Sequence, residues 1–244
     1  MISIILAAGS GVRMRPLSYY IPKVLLPVKG KPVLDYLLSN MGGLDIEKHY
    51  IVASNHLETI EKYVENTNLR NVEVIRALGW ETGGDLSLAL EQIGAEEDTL
   101  VMNGDIVTDL KFSDLLESHR KNDGYATVGV FPLSDPDSAK RFGQIEIDGN
   151  NRIISFNEKS EMVRNPPLVN TGFYIFDKDL IRNRKEFLVP KKFKLEKELF
   201  PSLSYMGKLY ASVNRINYWW DVGTMESYLR TEEFMINGGG VVPP

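Results

Sequence analysis

Residues 2–13 read Ile2-Ser3-Ile4-Ile5-Leu6-Ala7-Ala8-Gly9-Ser10-Gly11-Val12-Arg13. The run Ile2–Ala7 is short, almost wholly apolar and rich in β-branched residues, the composition of a strand buried on both faces. It stops at small residues. Without large side chains the backbone after such a strand can approach a ligand closely, and turned N–H groups can cradle anionic oxygens. Arg13 can then add paired hydrogen bonds to a phosphate. A Gly-x-Gly after a strand is more often a plain tight turn, and neither Gly-x-Gly-x-x-Gly nor Gly-Lys-Ser/Thr occurs here. The start is unlike a secretion signal, because no basic residue precedes the apolar run. No stretch approaches the ~18 apolar residues a membrane helix needs. The expectation is a soluble, cytoplasmic chain whose first segment is a core strand.

Outward from that strand, the hydrophobic period alternates. Pro32 opens a helical pattern through Val33, Tyr36, Leu37 and Met41, ended by Gly42-Gly43. Tyr50–Ala53, Val72–Ala77 and Thr99–Met102 read as strands, and Leu57–Val64 and Asp85–Ile93 as helices between them. Such alternation implies βαβ units. The expected class is α/β, a Rossmann-like, mostly parallel central sheet flanked by helices. Sheets of this kind bind ligands at the carboxyl ends of their strands, where Gly9 and the turn Asn103-Gly104-Asp105 fall. The second half changes character. Tyr125–Phe131, Gln144–Ile147, Arg152–Phe156 and Gly172–Phe176 read as strands, with Asp148-Gly149-Asn150-Asn151 as a hairpin turn. Lys194–Leu203 and Met225–Ile236 read as helices, so this half is α+β, with a ligand cleft expected between the halves. Residues 1–237 are expected to form one domain, and 238–244 a flexible tail.

With 244 residues the chain can bury one substantial core. A net charge of -5 argues against a protein that coats nucleic acid, yet a local cluster of cations can still bind phosphate. No cysteine is present, which excludes disulfides, thiolate metal sites and cysteine nucleophiles. The histidines are His49, His56 and His119, at no spacing that suggests a shared zinc site. Tyr218-Trp219-Trp220 is read as core, and Lys191, Lys192 and Lys194 as a solvated basic patch.

The stretch Arg13-Met14-Arg15-Pro16-Leu17, then Pro22-Lys23-Val24-Leu25-Leu26-Pro27-Val28 and Gly30-Lys31-Pro32, resembles the signature of the sugar-1-phosphate nucleotidylyltransferases, in spacing as well as residue type. Asn103-Gly104-Asp105 looks like that family's strand-end segment with a metal-binding Asp, and Phe156-Asn157-Glu158-Lys159 like its Phe-x-Glu-Lys segment. Trp220-Asp221-Val222-Gly223-Thr224 resembles the segment carrying a second metal-binding Asp. Gly143 and Asn170-Thr171-Gly172 match positions lining a sugar pocket, so the likeness runs from Ile4 to about Leu229. Two departures stand out. Val12 replaces the usual Thr or Ser, which removes a hydroxyl contact to the triphosphate. In Gly79-Trp80-Glu81-Thr82-Gly83-Gly84, Glu81 and Gly83 depart from a Gly-Thr-Ala-Gly-like turn beside base and ribose.

The resemblance implies that Leu6, Ala8, Gly9, Gly11, Arg13, Lys23 and Gly84 surround a nucleoside triphosphate. It implies that Gly143, Glu158, Lys159 and Asn170 hold a sugar 1-phosphate, and that Asp105 and Asp221 bind Mg²⁺. Arg13, Lys23, Asp105 and Lys159 are then the residues that act on the reacting groups. Each has a plainer reading taken singly: Asp105 as a turn aspartate, Lys159 as a solvated hairpin lysine, Asp221 as a helix cap, although Thr224 is the better cap. Their joint occurrence in family order reverses those odds. The partners implied are small molecules, with neither nucleic acid nor membrane, and a homo-oligomer is compatible. Two other readings stay open at this stage: a cytidylyltransferase acting on phosphocholine or a similar phosphorylated alcohol, and a regulatory homologue without catalysis. Many relatives carry a C-terminal left-handed β-helix, and this sequence ends before such a repeat.

Overall fold

A computed structural model describes residues 1–133, 135–161, 166–183 and 185–237, so the expected tail at 238–244 lies outside it. The opening apolar run is β1 (Ile2–Leu6). The Pro- and Lys-rich stretch behind it passes through short 3-10 turns into a ribbon, β2 (Pro27–Val28) with β3 (Lys31–Pro32). Then come α1 (Val33–Asn40), β4 (His49–Ala53), α2 (Leu57–Asn66), β5 (Val72–Arg76), α3 (Glu81–Ile93) and β6 (Thr99–Asn103). Strands β5, β4, β1 and β6 lie side by side in that order, all parallel. The expected parallel α/β sheet is therefore present. Successive residues of β1 face opposite cores. Ile5 packs with α1 and α2, while Ile4 packs with Leu86, Ala89 and Leu90 of α3. Burial on both faces is why the run reads as continuously apolar.

After β6 come β7 (Ile106–Thr108), α4 (Phe112–Arg120), β8 (Ala126–Pro132), α5 (Pro136–Ala139), β9 (Gly143–Ile147), β10 (Ile153–Glu158) and β11 (Leu168–Phe176). The chain closes with α6 (Lys178–Asn183), α7 (Phe200–Tyr205), β12 (Leu209–Val213), β13 (Trp219–Asp221) and α8 (Met225–Asn237). The hairpin turn at Asp148 forms as expected: one carboxylate oxygen accepts from the N–H groups of Asn150 and Arg152, and β9 and β10 pair antiparallel. Helix α4 and strands β12 and β13 have no counterpart among the expected elements, although Phe112, Leu115, Leu116 and His119 make a buried i, i+3, i+4, i+7 stripe.

Strand β11 joins the halves. Along one edge it pairs with β8. On the other edge Phe173–Phe176 pair with β6, whereas Leu168 and Val169 pair with β9. Between these two partners, residues 170–172 are left without a strand neighbour on that edge. The backbone bends there, with Gly172 at φ 82° and a register shift against β8. The gap opens the cleft.

Two expectations are corrected. The helix expected at 194–203 begins instead as a wide π turn, Leu195–Leu199, that runs into α7. In a continuous α-helix the Pro201 ring would clash with the carbonyl of residue 197, and a wider turn avoids this. Helix α3 starts at Glu81 rather than Asp85, so Gly83 and Gly84 sit in its first turn. Gly84, expected beside the nucleotide, serves packing: its N–H donates to the carbonyl of Phe193 at 3.2 Å, and a Cβ there would lie 2.1 Å from the Lys191 carbonyl. Backbone cannot rotate away as a side chain can. Gly84→Ala should destabilise the fold by about 1–3 kcal/mol, measured as a lowered urea midpoint.

Candidate functional site

The carboxyl ends of β1 and β6 open into a cavity of about 720 Å³. Leu6, Ala8 and Gly9 line it from the first loop, with Lys23, Ser54, Asn55, Glu81, Thr82, Asp85 and Lys192 around them. Gly11, at φ 62°, turns the chain into the 3-10 turn that carries Arg13, and its carbonyl accepts from the Ser18 hydroxyl at 2.7 Å. The loop at 78–80 is held by Asp85, whose carboxylate accepts from the N–H groups of Leu78 and Trp80 at 3.1 and 3.0 Å. Burial raises the Asp85 pKa, and those N–H groups work against the rise.

A second cavity, of about 360 Å³, lies over the gap on β11. Its lining includes Arg13, Gly143, Glu158, Lys159, Asn170 and Asp221. The Glu158 carboxylate rests against Gly143, where a Cβ would stand 3.1 Å from Oε2. Burial raises the Glu158 pKa, and Glu196 adds to this; Lys159, Lys194 and Lys197 oppose it. Glu196 arrives by way of the π turn and accepts from the Thr82 hydroxyl at 2.8 Å. Asn170 donates to the Tyr174 hydroxyl at 2.9 Å.

Thr82, Asn103 and Asp105 line both cavities, so the two meet there. At that junction Lys23 Nζ lies 2.6 Å from Asp105 Oδ2. Burial lowers the Lys23 pKa, but Asp105 and the more distant Asp221 more than offset this, with Arg13 working against them; the net shift is upward. Asp221 reaches the same place from the far end of the sequence. Strands β13 and β7 pair antiparallel with Asp221 opposite Ile106, and the Val222 N–H donates to the Asp105 carbonyl at 2.9 Å. Trp219 and Trp220 anchor that ribbon in the core, as their composition suggested. Thr224 caps α8 by accepting from the Ser227 N–H at 3.1 Å, which leaves Asp221 for the cleft. Burial and then the neighbouring Asp105 raise the Asp221 pKa to about 6, while Lys23 and Arg13 lower it.

The structure thus brings Leu6, Ala8, Gly9, Lys23, Arg13, Asp105, Gly143, Glu158, Lys159, Asn170 and Asp221 to two joined cavities. Gly11 is one step removed, in the adjoining hollow with Gly9 and Lys23. Gly84 is not with them. Val12 is 54% exposed and lines neither cavity. Sequence reading missed Thr82, Glu196, Lys192 and Arg141 as lining residues. Lys192 was assigned to a solvated patch, and nothing in its dipeptide distinguishes a cleft lysine from a solvated one.

An α/β sheet with cations and an acid pair gathered at its strand ends is an arrangement suited to phosphorylated small molecules. The chain belongs to the nucleotidyl transferase family, whose sequence model matches residues 2–238. It is 29% identical to a mannose-1-phosphate guanylyltransferase of Mycobacterium tuberculosis, over 97% of this chain and 65% of that protein. It is 31% identical to a mannose-1-phosphate guanyltransferase of Yarrowia lipolytica, over 94% and 62%. With a UTP–glucose-1-phosphate uridylyltransferase of Synechocystis the identity is 28%, over 93% and 61%. The chain therefore spans a little under two-thirds of the length of the curated relatives it matches. Among the described residues no helix is long and apolar enough to cross a membrane.

The raised pKa of Asp221 carries a stability consequence. Its folded value lies above the unfolded one, so the folded state favours the protonated acid, and the ionised acid costs stability above about pH 6. That cost disappears as pH falls through 6 towards 4. Asp221→Asn should raise the melting temperature of the metal-free protein at pH 7.5, and the gain should vanish near pH 4. An unchanged or lowered melting temperature at pH 7.5 would contradict the assignment.

Proposed function

We propose that the chain is an enzyme that joins a nucleoside triphosphate to a sugar 1-phosphate, releasing an NDP-sugar and pyrophosphate. The observation that carries this is the meeting of two cavities at Asp105, with Lys23, Arg13 and Asp221 gathered there. The nucleotide is assigned to the larger cavity, where the small residues Ala8 and Gly9 allow close approach, and the sugar phosphate to the one lined by Glu158, Lys159 and Asn170. We read residues 1–237 as one catalytic domain, since β11 belongs to both halves, and place the reaction in the cytoplasm, which supplies nucleoside triphosphates.

The reaction is attack of a sugar-phosphate oxygen on the α-phosphorus, with cleavage of the bond to the β-phosphate oxygen. Both reactants are anions, so positioning and charge neutralisation supply most of the rate. Lys159 holds the attacking phosphate, Lys23 faces the α-phosphate, and Arg13 takes up charge on the departing pyrophosphate. A phosphate monoester near neutral pH is already an anionic nucleophile, so no general base is needed. Asp105 and Asp221 fit a hard divalent cation. They offer only oxygen donors, and the upward shift of the Asp221 pKa, in part from Asp105, marks a carboxylate pair that a cation would relieve. Mg²⁺ held there would supply neutralisation of the phosphate oxygens.

The phosphocholine alternative fits the second cavity less well. A quaternary ammonium calls for an aromatic cage. Trp219 and Phe142 do line the cavity, but they pack edge to face on each other at 4.9 Å, and the rest of the lining is largely polar. A non-catalytic homologue would be expected to lack one of the cations or carboxylates that are all present here.

A screen of the nucleoside triphosphates against hexose 1-phosphates and phosphocholine, with Mg²⁺ and a pyrophosphate readout, tests the reading directly. Release with a sugar phosphate is expected; release with phosphocholine alone, or with no acceptor, overturns it. Asp105→Asn should lower kcat by ~10²-fold or more. Lys159→Ala should raise KM for the sugar phosphate more than for the nucleotide, and the opposite pattern would exchange the two cavities.

A further inference from the structure

At the end of the sheet remote from the cleft, β6 and β11 run antiparallel with Thr99 opposite Phe176. The next residues outward are Asp98 and Asp177, so the pairing itself brings two carboxylates together. His119 reaches the same point from α4. One imidazole nitrogen and one oxygen of each carboxylate all lie within 4.8 Å of one another. We propose that Asp98, His119 and Asp177 form a binding site for a transition-metal dication of the zinc class, separate from the Asp105–Asp221 pair.

The donors are arranged for such an ion. His119 is only 5% exposed. Its Nδ1 is fixed by a 2.9 Å hydrogen bond with the Thr127 hydroxyl, a second contact of the kind that orients metal-bound imidazoles. Its Nε2 makes no hydrogen bond with the described residues and faces Asp177 Oδ2 at 3.9 Å, too far for one. Burial lowers the His119 pKa further than Asp98 and Asp177 raise it, with Arg120 also lowering it. On each aspartate one oxygen is already used locally. Asp98 Oδ1 accepts from the Lys178 N–H at 3.0 Å, and Asp177 Oδ1 from the Asp179 N–H at 2.6 Å. These bonds hold the carboxylates in place, and among the described residues no hydrogen bond engages the other oxygen of each.

Like charges set opposite each other across a strand pair are destabilising, and a dication between them reverses the sign of that interaction. One nitrogen and two carboxylate oxygens suit zinc, which accepts both donor types at about 2.0–2.2 Å. Four-coordinate geometry at such bond lengths sets donors about 3.4 Å apart. Binding would therefore draw the three donors together from their spacing of up to 4.8 Å. Three protein donors leave a further position for water. Magnesium is the poorer candidate, since it prefers an all-oxygen shell. The ion would tie the start of β6, the end of β11 and α4 together, three segments that no local spacing in the sequence connects.

The test uses the full chain with the cleft acids removed, Asp105→Asn with Asp221→Asn, titrated with Zn²⁺ alone by calorimetry and with Co²⁺ by visible absorption. One equivalent of Zn²⁺ should bind and raise the melting temperature, and Co²⁺ should develop the d–d bands of a nitrogen- and oxygen-ligated ion. Adding Asp98→Asn and Asp177→Asn, which keep the local acceptor atoms, should weaken Zn²⁺ binding by ~100-fold or more. His119→Gln should abolish the Co²⁺ bands. The proposal is overturned if the cleft-acid variant binds no Zn²⁺, or if binding survives Asp98→Asn with Asp177→Asn. Neither result depends on turnover, so it stands apart from failure of the nucleotidyl-transfer reading.

Discussion

Everything in the cleft depends on one strand being asked to pair with two partners along a single edge. Strand β11 is nine residues long, enough to give its last four to β6 and its first two to β9. The residues between cannot belong to either ladder. Their backbone groups must find other partners, and some do so close by: Trp219 Nε1–H donates to the Thr171 carbonyl at 2.8 Å, and Asn170 accepts from the Gly172 N–H at 2.9 Å. Satisfying these groups locally is what permits an open gap inside a continuous sheet. The parallel half ends at one lip of the gap with Asn103 and Asp105, and the antiparallel half begins at the other with Gly143 and Glu158.

The gap is lined with charge at a cost to the fold. Asp221 and Asp105 repel each other, and Glu158 and Glu196 do the same on the other lip. Lys23 answers the first pair directly, by its 2.6 Å contact with Asp105. An ion pair of this sort is a poor source of stability once desolvation is counted. In the proposed reaction it would be a resting arrangement: a phosphate would take the ammonium and a cation the carboxylate, so neither group would be left unpaired before or after binding.

Much of this was legible in the chain. Ile2–Leu6 announced a buried parallel strand because both of its faces are apolar, and the family-like order of Lys23, Asp105, Lys159 and Asp221 announced a shared site. What remained hidden was tertiary in origin. No local pattern shows that β11 is split between two neighbours. Gly84 sits in a glycine-rich turn that resembles a ligand loop, yet the carbonyl it must avoid belongs to Lys191, more than a hundred residues away. Glu196 looks like one of several charges on an exposed helix; only the π turn ahead of Pro201 aims it inward. The missing α4 is a different matter, since its buried stripe is periodic and was open to reading.

The strand pair β6–β11 carries acidic groups at both of its ends, Asp105 beyond one and Asp98 with Asp177 beyond the other. A ribbon loaded in this way holds together because its middle is almost completely dry. Leu100, Val101, Met102, Phe173, Tyr174, Ile175 and Phe176 are each no more than 1% exposed. Full burial of a large apolar side chain contributes roughly 1.5–3 kcal/mol, an upper figure because unfolded chains already hide some surface. Seven such residues outweigh the repulsion between carboxylates at either end by a wide margin. The aromatic side chains of β11 spread this burial over both cores, Phe173 against Phe112 at 5.1 Å on one face and Tyr174 against Phe200 at 4.9 Å on the other. A centre this well buried therefore leaves the ends free to carry groups that do not themselves stabilise the fold.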